Sequence, residues 1–155
     1  MDRTSAYRKA YEEAENFISC YSPPLSDIAK MSTVCSLVKS AVPEFVYVGF
    51  YLMARLEERD ILEVGPYQGE VLACARIELT RGVCGKAAVE KQTQVVQDVT
   101  GCMNYIACDD KTQSEVVVPV IRDGNVIAVF DIDCGQKDFF TPEDVEWLTK
   151  FAELI

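Results

Sequence analysis

Apolar residues recur at helical spacing in the first forty positions and at strand spacing through the middle of the chain. From Thr4 to about Cys20, the residues Tyr7, Ala10, Tyr11, Ala14, Phe17 and Ile18 form one apolar stripe, which predicts an amphipathic helix. Ser22-Pro23-Pro24 ends it. A second helix is expected from Ser26 or Asp27, with Ile28, Met31, Cys35 and Val38 facing inward. The period then changes. Phe45–Leu52 is rich in aromatic and β-branched residues and reads as a strand. Segments from about Leu62 to Gly65 and from Val71 to Glu78 continue a sheet. Arg81-Gly82 is a break, Cys84 to about Lys91 reads as a short helix, and Gln94 to Gln97 as a short strand. Asp98–Ser114 is long, polar and irregular, as functional loops often are. Glu115–Ile121 and Val126–Asp133 read as strands joined across Asp123-Gly124, a hairpin signal. Thr141-Pro142-Glu143-Asp144 opens a last helix, with proline in its first turn and acids beside it. This order predicts an α+β fold over residues 1–155 as one domain. Its sheet is central and largely antiparallel, and the N-terminal helices and a C-terminal helix cover one face.

Composition narrows the function. The formal net charge of −10 argues against nucleic acid and against an anionic membrane surface, both of which call for basic patches. No segment is apolar enough to be a signal core or a membrane span, so a cytoplasmic protein is expected. Seven cysteines in such a chain point to redox or metal chemistry. They form no CxxC pair, and the chain has no histidine, so no metal site and no cofactor are expected. The missing histidine also excludes a Cys–His nucleophile.

The candidate reactive residues are three cysteines and three acids. Cys84 sits between Gly82-Val83 and Gly85 at the expected start of a helix, where the dipole lowers a thiol pKa; a tight turn needing a small residue explains it equally well. Cys108 lies in the irregular segment before Asp109-Asp110, whose charges oppose thiolate formation. Cys74, within Leu72-Ala73-Cys74-Ala75, reads by itself as strand core, and Cys35 as helix core. Asp131 and Asp133 lie two apart in a strand and share a face with Ile127 and Val129. Carboxylates that continue an apolar stripe are costly unless a ligand satisfies them. Glu115 joins them only if the hairpin carries a one-residue bulge, which moves it from opposite Ile132 to opposite Asp133.

Together, Tyr47-Val48-Gly49-Phe50-Tyr51, Gly65-Pro66-Tyr67-Gln68-Gly69, Arg81-Gly82-Val83-Cys84-Gly85, Ile106-Ala107-Cys108-Asp109, Ser114-Glu115-Val116-Val117-Val118-Pro119 and Asp131-Ile132-Asp133 resemble the free methionine-(R)-sulfoxide reductases, which have the GAF fold. The resemblance implies that Cys108 attacks the sulfoxide sulfur, releasing methionine and leaving a sulfenic acid. Cys74 or Cys84, with Cys74 favoured, then closes a disulfide that thioredoxin or a similar dithiol protein reduces. It also implies that Glu115, Asp131 and Asp133 hold the substrate ammonium and hydrogen-bond the sulfoxide oxygen, and that Tyr47 and Tyr51 shape a cage for the S-methyl group. Tyr47 replaces the family's usual tryptophan, and Met53–Leu62 implies a longer hairpin tip. Cys20, Cys35, Cys102 and Cys134 fall outside the three-cysteine pattern, although Cys102 and Cys134 offer an alternative disulfide. By analogy with the fold, a homodimer is expected, although the sequence does not show its interface. A GAF module that senses a small ligand or redox state without catalysis is the competing reading.

Overall fold

The computed structural model describes residues 2–102 and 108–155. Ile106 and Ala107 of the cysteine motif therefore lie outside the described residues. Six strands form one antiparallel sheet in the order β3-β2-β1-β6-β5-β4. They are β1 (Phe45–Leu56), β2 (Arg59–Gly69), β3 (Arg76–Glu78), β4 (Gln94–Val96), β5 (Ser114–Arg122) and β6 (Asn125–Cys134). Helices α1 (Arg3–Ser19), α2 (Asp27–Ala41) and α4 (Pro142–Ala152) pack on one face, and α3 (Gly82–Glu90) packs on the other. The N-terminal and C-terminal helices thus share a face as expected.

Alternation along the central strands builds both faces at once. Val48 and Phe50 of β1, Val116 and Val118 of β5, and Phe130 and Ile132 of β6 point into the main core, where they meet Tyr7, Met31, Val34, Val38, Leu148 and Phe151 from the helices. Phe50 and Phe130 stack with their ring centroids 4.4 Å apart. Burying such a ring fully is worth about 1.5–3 kcal/mol. The intervening positions, Tyr47 and Tyr51 of β1, Val117 of β5 and Val129 of β6, form a smaller core under α3. Helix α4 begins with a capping box between Thr141 and Asp144. The buried Asp144 carboxylate also pairs with Arg3 at 3.3 Å, which ties α4 to the start of α1.

Some boundaries differ from the sequence reading. Ile28 is 50% exposed, because the first turn of α2 lies at the surface, where Asp27 meets Arg122. Phe17 is exposed near the end of α1 and packs edge-on against Tyr21. Strand β1 runs past Leu52 to Leu56 and turns tightly at Glu57-Glu58, so the extra residues lengthen a regular ladder. Only Arg76–Glu78 of the Val71–Glu78 segment is strand. Its first residues are a loop, held instead by a disulfide through Cys74.

Candidate active site

The site is built on the α3 side of the sheet by cross-strand pairing. The β5–β6 turn uses Asp123 and Gly124, both at positive φ, as a type I′ hairpin requires. Arg122 pairs with Asn125, but the register then slips by one residue, so that Val120 faces Ala128 and Glu115 faces Asp133. The expected one-residue bulge is therefore present, at Val120/Ile121, although the turn itself is the plain two-residue kind. The slip turns Ile127 to the helix-covered core, and Val126 takes the α3 side in its place. On β1, Tyr47 pairs with Asp133 and Gly49 with Asp131. One row across the sheet therefore reads Tyr47, Asp133, Glu115, and the next reads Gly49, Asp131, Val117.

Gly49 leaves room for the aromatic cage. A Cβ there would come 2.4 Å from the Tyr47 hydroxyl and 2.5 Å from the Tyr67 Cβ. The Tyr47 ring stacks on Tyr67 with centroids 5.3 Å apart, and lies 6.2 Å from the Tyr51 ring. Both Tyr47 and Tyr51 are buried.

Glu115 and Asp131 are 6% and 5% exposed, which rules out acids that merely face water at strand ends. Burial, followed by the charges of Asp131 and Asp133, drives the Glu115 pKa well above the carboxylate range. Burial also drives up Asp133, helped by Asp131 and Asp109. Asp131 rises to about 7, raised by burial and held below its neighbours by hydrogen-bonding contacts from Cys84 and Glu115. The cluster thus retains protons near neutral pH. Among the described residues, the Tyr47 hydroxyl, Asp131 Oδ1 and Asp133 Oδ1 are buried without a hydrogen-bond partner. Native interiors leave few such groups, and here three border the same cavity.

Cys84 enters from α3, fully buried. Its pKa is raised, against the helix-start expectation, because burial comes first and the charges of Asp131, Glu115 and Asp133 add to it. A helix dipole worth about 1 kcal/mol does not offset this. Cys74 and Cys108 form a disulfide, with Cα atoms 5.5 Å apart. Cys108 and Asp109 line the cavity with Val71, Leu72 and Ala73, so the disulfide joins two loops at its rim. Asp109 is positioned by accepting hydrogen bonds from the Lys111 and Thr112 amides at 2.6 and 2.8 Å. The space enclosed is about 30 Å³ for water-sized occupants, room for about two waters.

The structure therefore brings together all eight residues singled out from the sequence: Cys74, Cys84 and Cys108, the acids Glu115, Asp131 and Asp133, and Tyr47 and Tyr51. Sequence reasoning missed Asp109 as a lining residue and Tyr67 as the ring behind Tyr47; the quoted motifs contained both, with no local signal of their role. Cys35 is buried in α2 as core. Cys134 is a buried, reduced thiol of β6, so it forms no bond with Cys102.

A family model for the GAF domain matches residues 31–155. The free methionine-R-sulfoxide reductase of Saccharomyces cerevisiae is 42% identical over 133 residues, covering 83% of this chain and 73% of that protein. The crystal structure of free methionine-R-sulfoxide reductase from Neisseria meningitidis in complex with its substrate superposes with a TM-score of 0.89 at 33% identity, covering 99% of this chain and 88% of that one. The reduced form of fRMsr from Staphylococcus aureus gives a TM-score of 0.86 at 36% identity, with 96% and 92% covered.

Proposed function

The chain belongs to the GAF-domain family and, within it, to the free methionine-R-sulfoxide reductases, and from that premise we propose that it reduces free L-methionine-(R)-sulfoxide by thiol chemistry at Cys108. The observation that carries this reading is the Cys74–Cys108 disulfide at the rim of the buried acid pocket. It is the bond the reaction would leave behind.

In the reduced protein, the Cys108 sulfur attacks the sulfoxide sulfur to form a transient S–S bond, and that bond breaks together with the substrate S–O bond as the oxygen passes to the Cys108 sulfur. Methionine leaves with its sulfur reduced, and the oxygen stays on Cys108 as a sulfenic acid. Protonating the sulfoxide oxygen makes its sulfur more open to attack, and the pocket acids retain protons at neutral pH for this purpose. Their remaining negative charge, together with the unpartnered Asp131 Oδ1 and Asp133 Oδ1, suits the substrate ammonium. Burial also keeps the Tyr47 hydroxyl protonated, so it stays a donor. The Tyr47 and Tyr51 rings offer an apolar wall for the methyl group. The Cys74 thiol then attacks the Cys108 sulfenic acid; the S–S bond forms and water leaves. A dithiol protein of the thioredoxin type reduces that bond and is itself oxidised. Overall, sulfoxide and dithiol give methionine, water and a disulfide on the partner.

Two features support Cys74 over Cys84 as the resolving thiol. Cys74 is already paired with Cys108, and Cys84 is reduced and turned toward Asp131. The test is NADPH oxidation coupled through thioredoxin reductase and thioredoxin, with free methionine-R-sulfoxide, the S epimer and a peptide-bound sulfoxide. Turnover confined to the free R form, and lost in Cys108→Ser, supports the reading. No turnover with either thioredoxin or a second dithiol reductant would favour a sensing module.

A further inference from the structure

Behind the reactive disulfide, the inner wall of the cavity carries a second arrangement. The Cys84 sulfur, a Glu115 carboxylate oxygen and an Asp131 carboxylate oxygen lie within 4.8 Å of one another. They arrive from three elements, α3, β5 and β6, and all three residues are buried. Two independent observations point to a ligand. The Tyr47 hydroxyl, on a residue 2% exposed, and Asp131 Oδ1 are buried without a hydrogen-bond partner among the described residues, and both residues line this cavity. In addition, no lysine or arginine is among the described residues lining it. Acids and a thiol buried together with no cation beside them hold protons that a metal ion can replace.

We infer that Cys84, Glu115 and Asp131 form a binding site for a zinc-class divalent cation, with one coordination position open to the cavity. The donor set selects the class. One thiolate disfavours magnesium and calcium, which take oxygen ligands alone, and a mixed sulfur and oxygen set suits zinc. Bonds of about 2.0–2.3 Å place the corners of a zinc tetrahedron about 3.3–3.8 Å apart. A ceiling of 4.8 Å therefore leaves the three donors about 1–1.5 Å to close at most, within reach of side-chain rotation. Binding would release the protons of the thiol and carboxyl groups to solvent. Cys84 takes no part in the Cys74–Cys108 bond, so its thiol is available with that disulfide closed. Sequence spacing gave no hint of it, because the ligands are separated by about thirty residues and by sixteen, far from any zinc signature.

The consequence for activity rests on the reductase reading. Glu115 and Asp131 are the groups proposed there to hold the substrate ammonium, so a bound dication would compete with substrate. The binding itself does not depend on that reading.

The experiment titrates Co²⁺ into the full chain with the Cys74–Cys108 disulfide formed and no thiol reductant present. One equivalent should produce a thiolate-to-cobalt charge-transfer band in the near ultraviolet, along with visible bands of tetrahedral intensity, and Zn²⁺ should erase both. Cys84→Ser should remove the charge-transfer band, while Cys20→Ser keeps it. Glu115→Gln should weaken Co²⁺ at least tenfold; it also carries the test if circular dichroism shows that Cys84→Ser does not fold. With the reduced enzyme, Zn²⁺ should raise KM for free methionine-(R)-sulfoxide and leave kcat unchanged. Absence of the charge-transfer band, or its survival in folded Cys84→Ser, overturns the cation site. A full cobalt spectrum in a protein without reductase turnover supports the site and removes the reductase reading instead.

Discussion

Replacing Asp131 by asparagine should stabilise the fold while removing its activity. Burial raises the Asp131 pKa from 3.8 to about 7 in the native protein. The unfolded chain keeps the ordinary value. Between those two pKa values the native state holds a proton that the unfolded chain has released. A group raised in this way costs stability as pH climbs, with the cost absent below pH 4 and complete above pH 7. At about 1.4 kcal/mol per pKa unit, the full cost is about 4 kcal/mol, and at pH 4.5 it is about 1 kcal/mol. Asparagine has nearly the same shape, and its carbonyl still accepts from Glu115 or Cys84, but it carries no titrating proton. The gain from Asp131→Asn should therefore grow from about 1 kcal/mol at pH 4.5 to about 4 kcal/mol at pH 8. Urea unfolding of both proteins at the two pH values, in the disulfide form, measures this directly. Turnover of methionine sulfoxide by the variant should fall at least about a hundredfold, as expected when a buried functional group is exchanged for stability. A variant no more stable than the parent at pH 8, or a gain equal at both pH values, would refute the reasoning.

Other substitutions test other links. Cys74→Ser should complete one turnover, releasing one methionine per chain, and then stop, with a sulfenic acid on Cys108 that dimedone traps; sustained thioredoxin-dependent turnover would exclude Cys74 as the resolving thiol. Gly49→Ala sets a Cβ 2.4 Å from the Tyr47 hydroxyl and 2.5 Å from the Tyr67 Cβ, so the Tyr47 ring must shift. We expect a loss of about 1–3 kcal/mol in stability and a KM at least about tenfold higher, read by urea unfolding and steady-state kinetics. Thr141→Ala removes half of the capping box at the start of α4 and should cost about 1–2 kcal/mol with KM unchanged. Because the disulfide form leaves room for about two waters, calorimetry should show it binding methionine sulfoxide at least about tenfold more weakly than the reduced Cys108→Ser protein.

Much of this architecture was legible because its local signals agree. The α1 and α2 stripes, the Asp-Gly turn and the Thr-Pro-Glu-Asp helix start each have a local cause, and each appears within a few residues of its expected place. The errors fall where tertiary contacts override local preference. Val71–Ala75 has strand composition, yet the Cys74–Cys108 bond holds it as a loop at the cavity rim. Ile127 changes face because the bulge sits beside it, and a period-two pattern gives no position for a bulge. Cys84 stands at a helix start, where sequence predicts an easier thiolate. Its surroundings, Glu115, Asp131 and Asp133, come from residues about thirty to fifty positions away, and they reverse the sign. The acids themselves were legible as charges on an apolar stripe. Their protonation was not, because it depends on burial that only the packed sheet and α3 create.

The central claim is that Cys108 takes the sulfoxide oxygen and Cys74 closes the bond. The most direct measurement mixes fully reduced protein with one equivalent of free methionine-R-sulfoxide and no external reductant, quenches it with acid, and maps the thiols by differential alkylation and mass spectrometry. One methionine per chain, a Cys74–Cys108 disulfide and an alkylatable Cys84 are the predicted result. A Cys84–Cys108 disulfide, or methionine formed while Cys108 remains a free thiol, would contradict the account.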